Sequence, residues 1–134
     1  MIFSIGDHIE QIKAGTKTQT RRPFNTYKER GLYAIQPGRG KHGIPEGKIY
    51  ISQAVREWKP DLSDLPEDAK FARGWREMEA GYPINLWSAK AEGGYTREEF
   101  EKLYEKMYPG WTERWAYWFC FFTTEEIERC SGLS

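Results

Sequence analysis

Eight consecutive apolar residues, Trp115-Ala116-Tyr117-Trp118-Phe119-Cys120-Phe121-Phe122, constrain this chain more than any other feature. A strand that is apolar at every position has no face to offer water, so it needs cover on both sides and belongs at the centre of a sheet. The run is far short of the roughly 20 residues that a membrane-spanning helix requires. One domain, residues 1–134, is expected, because 134 residues give a core that needs neither disulfide nor metal. Aromatic residues make up 16% of the chain, which supplies that core and excludes disorder as a description of the whole.

The elements around this strand follow from spacing. Ile2–Ile5 reads as a short first strand. Asp7 is placed to cap a short helix with Ile9 and Ile12 on one face, and Gly15 is placed to stop it. Thr18–Arg22 and Leu32–Gln36 read as strands, ended by Pro23 and by the turn-rich Pro37–Gly43. Lys48–Trp58 is the longest expected strand, with Ile49 and Ile51 on one face and Tyr50 on the other. A helix is expected from Asp64 or Pro66 to about Arg73, whereas Trp75–Tyr95 fits no single pattern. Thr96-Arg97-Glu98-Glu99 is a capping box for a helix reaching about Tyr108, with Phe100, Leu103, Tyr104 and Met107 as its buried stripe. Trp115, Trp118 and Phe119 are assigned to the core. Short strands, few helices and Gly/Pro turns predict an α+β fold with a small barrel or strongly curved sheet.

Charge is unevenly distributed. Residues 1–59 carry 11 Lys/Arg against 5 Asp/Glu, and residues 60–134 carry 9 against 15. Such asymmetry suits either a basic surface facing an anionic partner or a dipolar surface that is merely solvated. Cys120 and Cys130 form no disulfide framework, and MIFSIGDHIEQ becomes acidic too early for a secretory signal. The expected compartment is therefore the cytoplasm, with no membrane partner.

His8, His42 and the two cysteines lack metal-ligand spacing, so neither a metal site nor a cofactor is expected. Phosphate-binding loops, dinucleotide fingerprints and nucleophile elbows are absent from the sequence. What stands out is Gly15-Thr16-Lys17-Thr18-Gln19-Thr20-Arg21-Arg22-Pro23, with three cations and three hydroxyls in seven residues. A second basic segment, Gln36-Pro37-Gly38-Arg39-Gly40-Lys41-His42-Gly43, has glycines that let backbone N–H groups approach an anion. Each segment is equally readable as a solvated loop.

Together, these segments resemble the ASCH domain, whose signature is G-x-K-x-x-x-R after the first helix. The order of elements also fits: the strand ending in Ile35-Gln36-Pro37-Gly38, the strand Gly47–Val55, Ala91-Glu92-Gly93-Gly94 before a Glu-rich helix, Tyr108-Pro109-Gly110, and the final aromatic strand. The resemblance implies a PUA-like fold, a small β-barrel flanked by short helices, with a cleft for a nucleobase or nucleic acid. Small bacterial members are amidohydrolases that remove the acyl group from N4-acetylcytidine. Their working residues fall on Lys17, Thr20 and Arg22, with Glu92 as the matching carboxylate.

On this reading Thr20 attacks the acyl carbonyl, Lys17 moves the proton, Glu92 positions Lys17, and Arg22 orients substrate or stabilises charge. Arg21, Gln36, Arg39 and Lys41 join Arg22 as candidate contacts to substrate or nucleic acid, and the expected partner is a modified cytidine nucleoside or RNA. Two alternatives share the cleft: a non-catalytic RNA-binding module and a ribonuclease. The resemblance also sets a geometric condition. Lys17 and Thr20 are three residues apart and face opposite sides of a straight strand, so residues 16–19 must turn or bulge. Neighbouring cations would lower the Lys17 pKa while Glu92 would raise it, and the sequence does not rank the two.

Overall fold

A computed structural model describes residues 1–58, 76–77 and 86–131. The fold is α+β, with an antiparallel sheet and short helices. Its elements are α1 (His8–Ala14), β1 (Gln19–Arg22), β2 (Leu32–Ala34), β3 (Gly47–Trp58), β4 (Arg76–Glu77), α2 (Leu86–Ala91), α3 (Arg97–Met107), β5 (Glu113–Thr123) and α4 (Thr124–Ser131). Strand order is β1-β5-β3-β2, and the two-residue β4 pairs with the far end of β3. The aromatic strand β5 is central, as its apolar run requires. Among the described residues no ladder joins β1 to β2, so the sheet is open. None of the described helices is long and apolar enough to cross a membrane.

Ile2–Ile5 is not a strand. Ile2 makes a single parallel bridge to Gln36, and the Phe3 N–H donates to the Gln36 carbonyl at 2.8 Å. Asp7 occupies the N-cap of α1, yet its side chain makes no capping hydrogen bond. The box at Thr96 is complete: the Thr96 hydroxyl accepts from the Glu99 N–H at 3.2 Å, and the Glu99 carboxylate accepts from the Thr96 N–H at 3.0 Å. The helix expected over 64–73 lies outside the described residues.

Two apolar clusters lie on opposite faces of the sheet. Met1, Phe3, Ile12, Ile35, Ile49, Ile51, Tyr117 and Phe119 form the larger, and Ala89, Phe100 and Tyr104 the smaller. Phe119 is buried as expected, while Trp115 and Trp118 are only half-buried. The stripe on α3 divides: Phe100 and Tyr104 are buried, whereas Leu103 is half-buried and Met107 is 43% exposed. A register shift between Ile51 and Gln53 decides which side chains the far half of β3 presents to each cluster. One extra residue reverses the facing of everything beyond it. Ile49 and Ile51 therefore face the larger cluster, but Val55 and Glu57 face the smaller, opposite Ala116 and Arg114 of β5.

Candidate active site

The site begins where α1 ends. Gly15 adopts φ 80°, which its missing Cβ permits, and the chain reverses in a Schellman turn. The Gly15 N–H donates to the Ile12 carbonyl at 3.1 Å and the Thr16 N–H to the Gln11 carbonyl at 2.9 Å. The Lys17 N–H also reaches the Gln11 carbonyl, at 3.1 Å, so Lys17 leaves a turn and not a strand. Regular β1 starts only at Gln19. The irregular segment that convergence of Lys17 with Thr20 demands is therefore present. The next residue imports the carboxylate: the Thr18 N–H donates to the Ala91 carbonyl at 3.0 Å, docking the end of α2 and with it Glu92.

Lys17 is 2% exposed, and acceptors surround its ammonium. Nζ donates to the Gln19 carbonyl at 2.9 Å and to the Glu92 carbonyl, and it lies 3.7 Å from Glu92 Oε2. Burial pushes the Lys17 pKa down to about 8; Arg22 and Arg21 push the same way, and Glu92 opposes them without prevailing. The other oxygen of Glu92 is taken: Arg21 Nη1 donates to Oε1 at 2.7 Å.

Lys17, Thr20, Arg21, Arg22 and Glu92 line one cleft of about 400 Å³. Thr20 and Arg22 point to one face of β1 and Arg21 to the other, so the cleft runs along the edge of that strand. Arg22 Nε donates to Thr20 Oγ1 at 3.2 Å while its Nη2 donates to the Ile2 carbonyl at 2.6 Å. Among the other candidates, Arg39 lines the cleft and is exposed. Gln36 and Lys41 bond to each other beyond the lining, Gln36 Nε2 donating to the Lys41 carbonyl at 3.0 Å. Arg21 also lines the cleft but is 3% exposed, and its guanidinium is bonded to two carboxylates, Glu57 and Glu92.

Sequence reasoning missed what stands behind Arg21. Glu57 is fully buried and accepts from Arg21 Nε at 2.8 Å and from Arg114 Nε at 2.7 Å. Arg114, also fully buried, reaches Glu101 on α3 at 2.9 Å, and its guanidinium lies 4.7 Å from the Tyr104 ring centre. The result is an alternating chain of six charges, Lys17–Glu92–Arg21–Glu57–Arg114–Glu101, running from the cleft through the smaller cluster to α3. Ala116 faces Arg21 across the ladder and is small enough for the guanidinium to pass toward Glu57. The available signal was Glu57 at the end of β3 and Arg114 at the start of β5, which become cross-strand partners once the register is known.

His8 and Tyr95 also line the cleft and were not singled out as site residues. His8 Nε2 and the Tyr95 hydroxyl are hydrogen-bonded at 2.9 Å. Burial, with Lys17 and Arg22 nearby, lowers the His8 pKa to about 4, so its ring is neutral at physiological pH. Burial and then Glu92 raise that of Tyr95. Gly93 closes over this pair at φ 153°, and a Cβ there would lie 2.8 Å from His8 Nε2. Among the described residues no three His, Cys, Asp or Glu side chains group as metal ligands.

A base of reduced pKa, a hydroxyl, and a guanidinium that donates to that hydroxyl are the parts of a nucleophilic acyl-transfer site. No family model, curated protein or solved structure matches the chain.

Proposed function

We propose that this chain is an ASCH-type amidohydrolase that removes the acyl group from N4-acylated cytidine. The observation that carries the reading is one cleft holding buried Lys17, 3.7 Å from the Glu92 carboxylate, together with Thr20, whose Oγ1 accepts from Arg22 Nε. Burial lowers the Lys17 pKa, which raises the fraction of neutral amine near neutrality. A lysine that must accept a proton near neutrality needs that form. The same reading includes a PUA-like barrel, whereas the sheet of the described residues, β1-β5-β3-β2, is open.

The chemistry runs in two halves. Neutral Lys17 accepts the Thr20 proton as Oγ1 bonds to the acyl carbonyl carbon, whose C=O pair moves onto oxygen. Arg22 has five N–H donors, of which Nε engages Thr20 and Nη2 the Ile2 carbonyl, and it is placed to stabilise that charge. Collapse breaks the bond between the acyl carbon and N4, and Lys17 returns the proton to N4, releasing cytidine. Water then attacks the acyl-Thr20 ester, Lys17 again takes a proton and returns it to Oγ1, and the carboxylic acid leaves.

The test is turnover of N4-acetylcytidine by purified protein, followed by chromatography. Hydrolysis is expected, and Lys17→Ala or Thr20→Ala should each lower kcat by about 10²–10⁴-fold. Full activity in Lys17→Ala would refute the assignment.

A further inference from the structure

Four large hydrophobic side chains are exposed among the described residues, and three of them gather at the cleft mouth. Phe24 is 51% exposed, Met107 43% and Trp111 42%. Phe24 and Met107 line the cleft, and Trp111 stands edge-to-face on Phe24 with ring centres 5.8 Å apart at 81°. Scattered exposed apolar residues need no explanation, but contiguous aromatic surface at the rim of a polar cleft does.

Both rings are mounted on fixed backbone. Phe24 follows Pro23 directly at the end of β1, and its carbonyl accepts from the hydroxyl of Tyr117 on the central strand at 2.7 Å. Trp111 follows a turn in which Gly110 takes φ 79°, and the Gly110 N–H donates to Glu105 Oε1 at 3.1 Å. The shelf is thus held in place before anything binds. Its surroundings select an anion: Arg39, exposed, and Arg22 line the same cleft. An exposed aromatic ring face beside guanidinium groups is how proteins hold single-stranded nucleic acid, with a base on the ring and phosphodiesters on the cations. A protein partner would use the apolar rings but leave Arg39 and Arg22 facing the cleft without counter-charge.

We propose that Phe24 and Trp111 form a stacking subsite for the nucleobase adjacent to the one held in the cleft, so that the substrate is a single-stranded oligonucleotide. The inference rests on the reading of the cleft as a cytidine site, and its test separates the two.

The full-length protein is titrated with a fluorescent RNA 5-mer whose central residue is unmodified cytidine, so that no turnover occurs. A second 5-mer carries abasic residues on either side of that cytidine. Base-bearing flanks should bind about 5- to 100-fold more tightly. In Trp111→Ala and Phe24→Ala that ratio should collapse toward 1, and Trp111→Tyr, which retains an aromatic face, should restore most of it. Equal affinity for the two 5-mers, or an unchanged ratio in Trp111→Ala, overturns the subsite. So does a Trp111→Ala variant altered only in self-association by sedimentation, which would assign the shelf to a second copy of the chain. A Trp111-dependent ratio in a protein inert toward both N4-acetylcytidine and a 5-mer carrying N4-acetylcytidine at its centre would sustain the subsite and sink the hydrolase reading alone.

Discussion

Replacing Glu92 by Gln separates two roles for that carboxylate that a loss of activity alone would confuse. Glu92 Oε2 lies 3.7 Å from Lys17 Nζ. At that distance two unit charges in an effective dielectric of about 20 attract by roughly 4 kcal/mol, equivalent to about 3 pK units. The amide of glutamine keeps a carbonyl oxygen able to accept from Arg21 and offers Lys17 a dipole, so the net change should be smaller, about 2 units. Lys17 should therefore fall from about 8 to about 6. At pH 7 its neutral fraction would rise from about one-tenth to about nine-tenths.

The direct assay is a pH titration of the Lys17 side chain by NMR of lysine-labelled protein, which needs no substrate. The second is the pH–rate profile for N4-acetylcytidine. In the unsubstituted protein, activity on the proposed reading should rise about tenfold between pH 7 and pH 9, because that reading needs the deprotonated base. In Glu92→Gln the rising limb should move about two units toward acid. If Lys17 still titrated near 8, Glu92 would not be acting on it electrostatically and the argument from geometry would fail. If the limb stayed in place and the rate fell equally at every pH, Glu92 would be in contact with the reacting atoms and not a positioning residue.

The same contacts carry consequences for stability. Arg114→Met should cost about 3–5 kcal/mol in urea unfolding, since it strips one cation from a fully buried Glu57, whereas Arg56→Ala, which breaks an exposed pair with Glu113 and a contact over the Trp115 ring, should cost under about 2 kcal/mol. Gly93→Ala should lower stability by about 1–3 kcal/mol, read as a reduced melting temperature, because it combines a strained φ with a Cβ 2.8 Å from His8 Nε2. His8 has a folded pKa of about 4 against an unfolded value near 6.5, so the unfolded chain binds more protons between these values. Stability should fall as pH drops through that window, and the slope of urea midpoint against pH should flatten there in His8→Gln.

What the sequence revealed, and what it hid, divides along physical lines. Local signals held. The Gly15 stop, the Thr96 capping box and the all-apolar β5 each depend on neighbours within a few residues, and each stands where it was expected. A local signal also went unread: Thr123-Thr124-Glu125-Glu126 is a second capping box, in which the Thr123 hydroxyl accepts from the Glu126 N–H at 3.1 Å and opens α4. Lys17 and Thr20 were singled out from one dense segment, but Glu92 is 75 residues away and entered only through a family resemblance. Glu57 was invisible for a sharper reason. A straight β3 puts it in phase with Ile49 and Ile51, where a carboxylate makes no sense. The bulge at 51–53, which no glycine or proline marks, turns it to the other face, toward Arg114.

That buried chain of charges surrounds a lysine that sits against a carboxylate and still has a lowered pKa. An isolated buried Lys–Glu pair would stabilise the ammonium and raise its pKa, which is useless for proton abstraction at neutral pH. Here burial outweighs the carboxylate, and Glu92 is shared between two cations, with Arg21 at 2.7 Å and Lys17 at 3.7 Å. Arg21 is held in place by Glu57, which Arg114 in turn neutralises from its far side. Burial works against the Arg21 charge, but Glu57 and Glu92 outweigh it and raise its pKa, so it stays ionised wherever Lys17 titrates. Arg21→Met should thus release Glu92 to Lys17, lift the lysine by about one unit or more, and move the rising limb of the pH–rate profile toward alkali, opposite to Glu92→Gln. The variant also leaves Glu57 one cation short, so the titration must be made on folded protein at a temperature well below its lowered melting point. Two substitutions on one ion pair that shift the same lysine in opposite directions are difficult to attribute to general damage. A shift in the same direction for both would mean that Lys17 responds to disruption of the cleft and not to the division of Glu92.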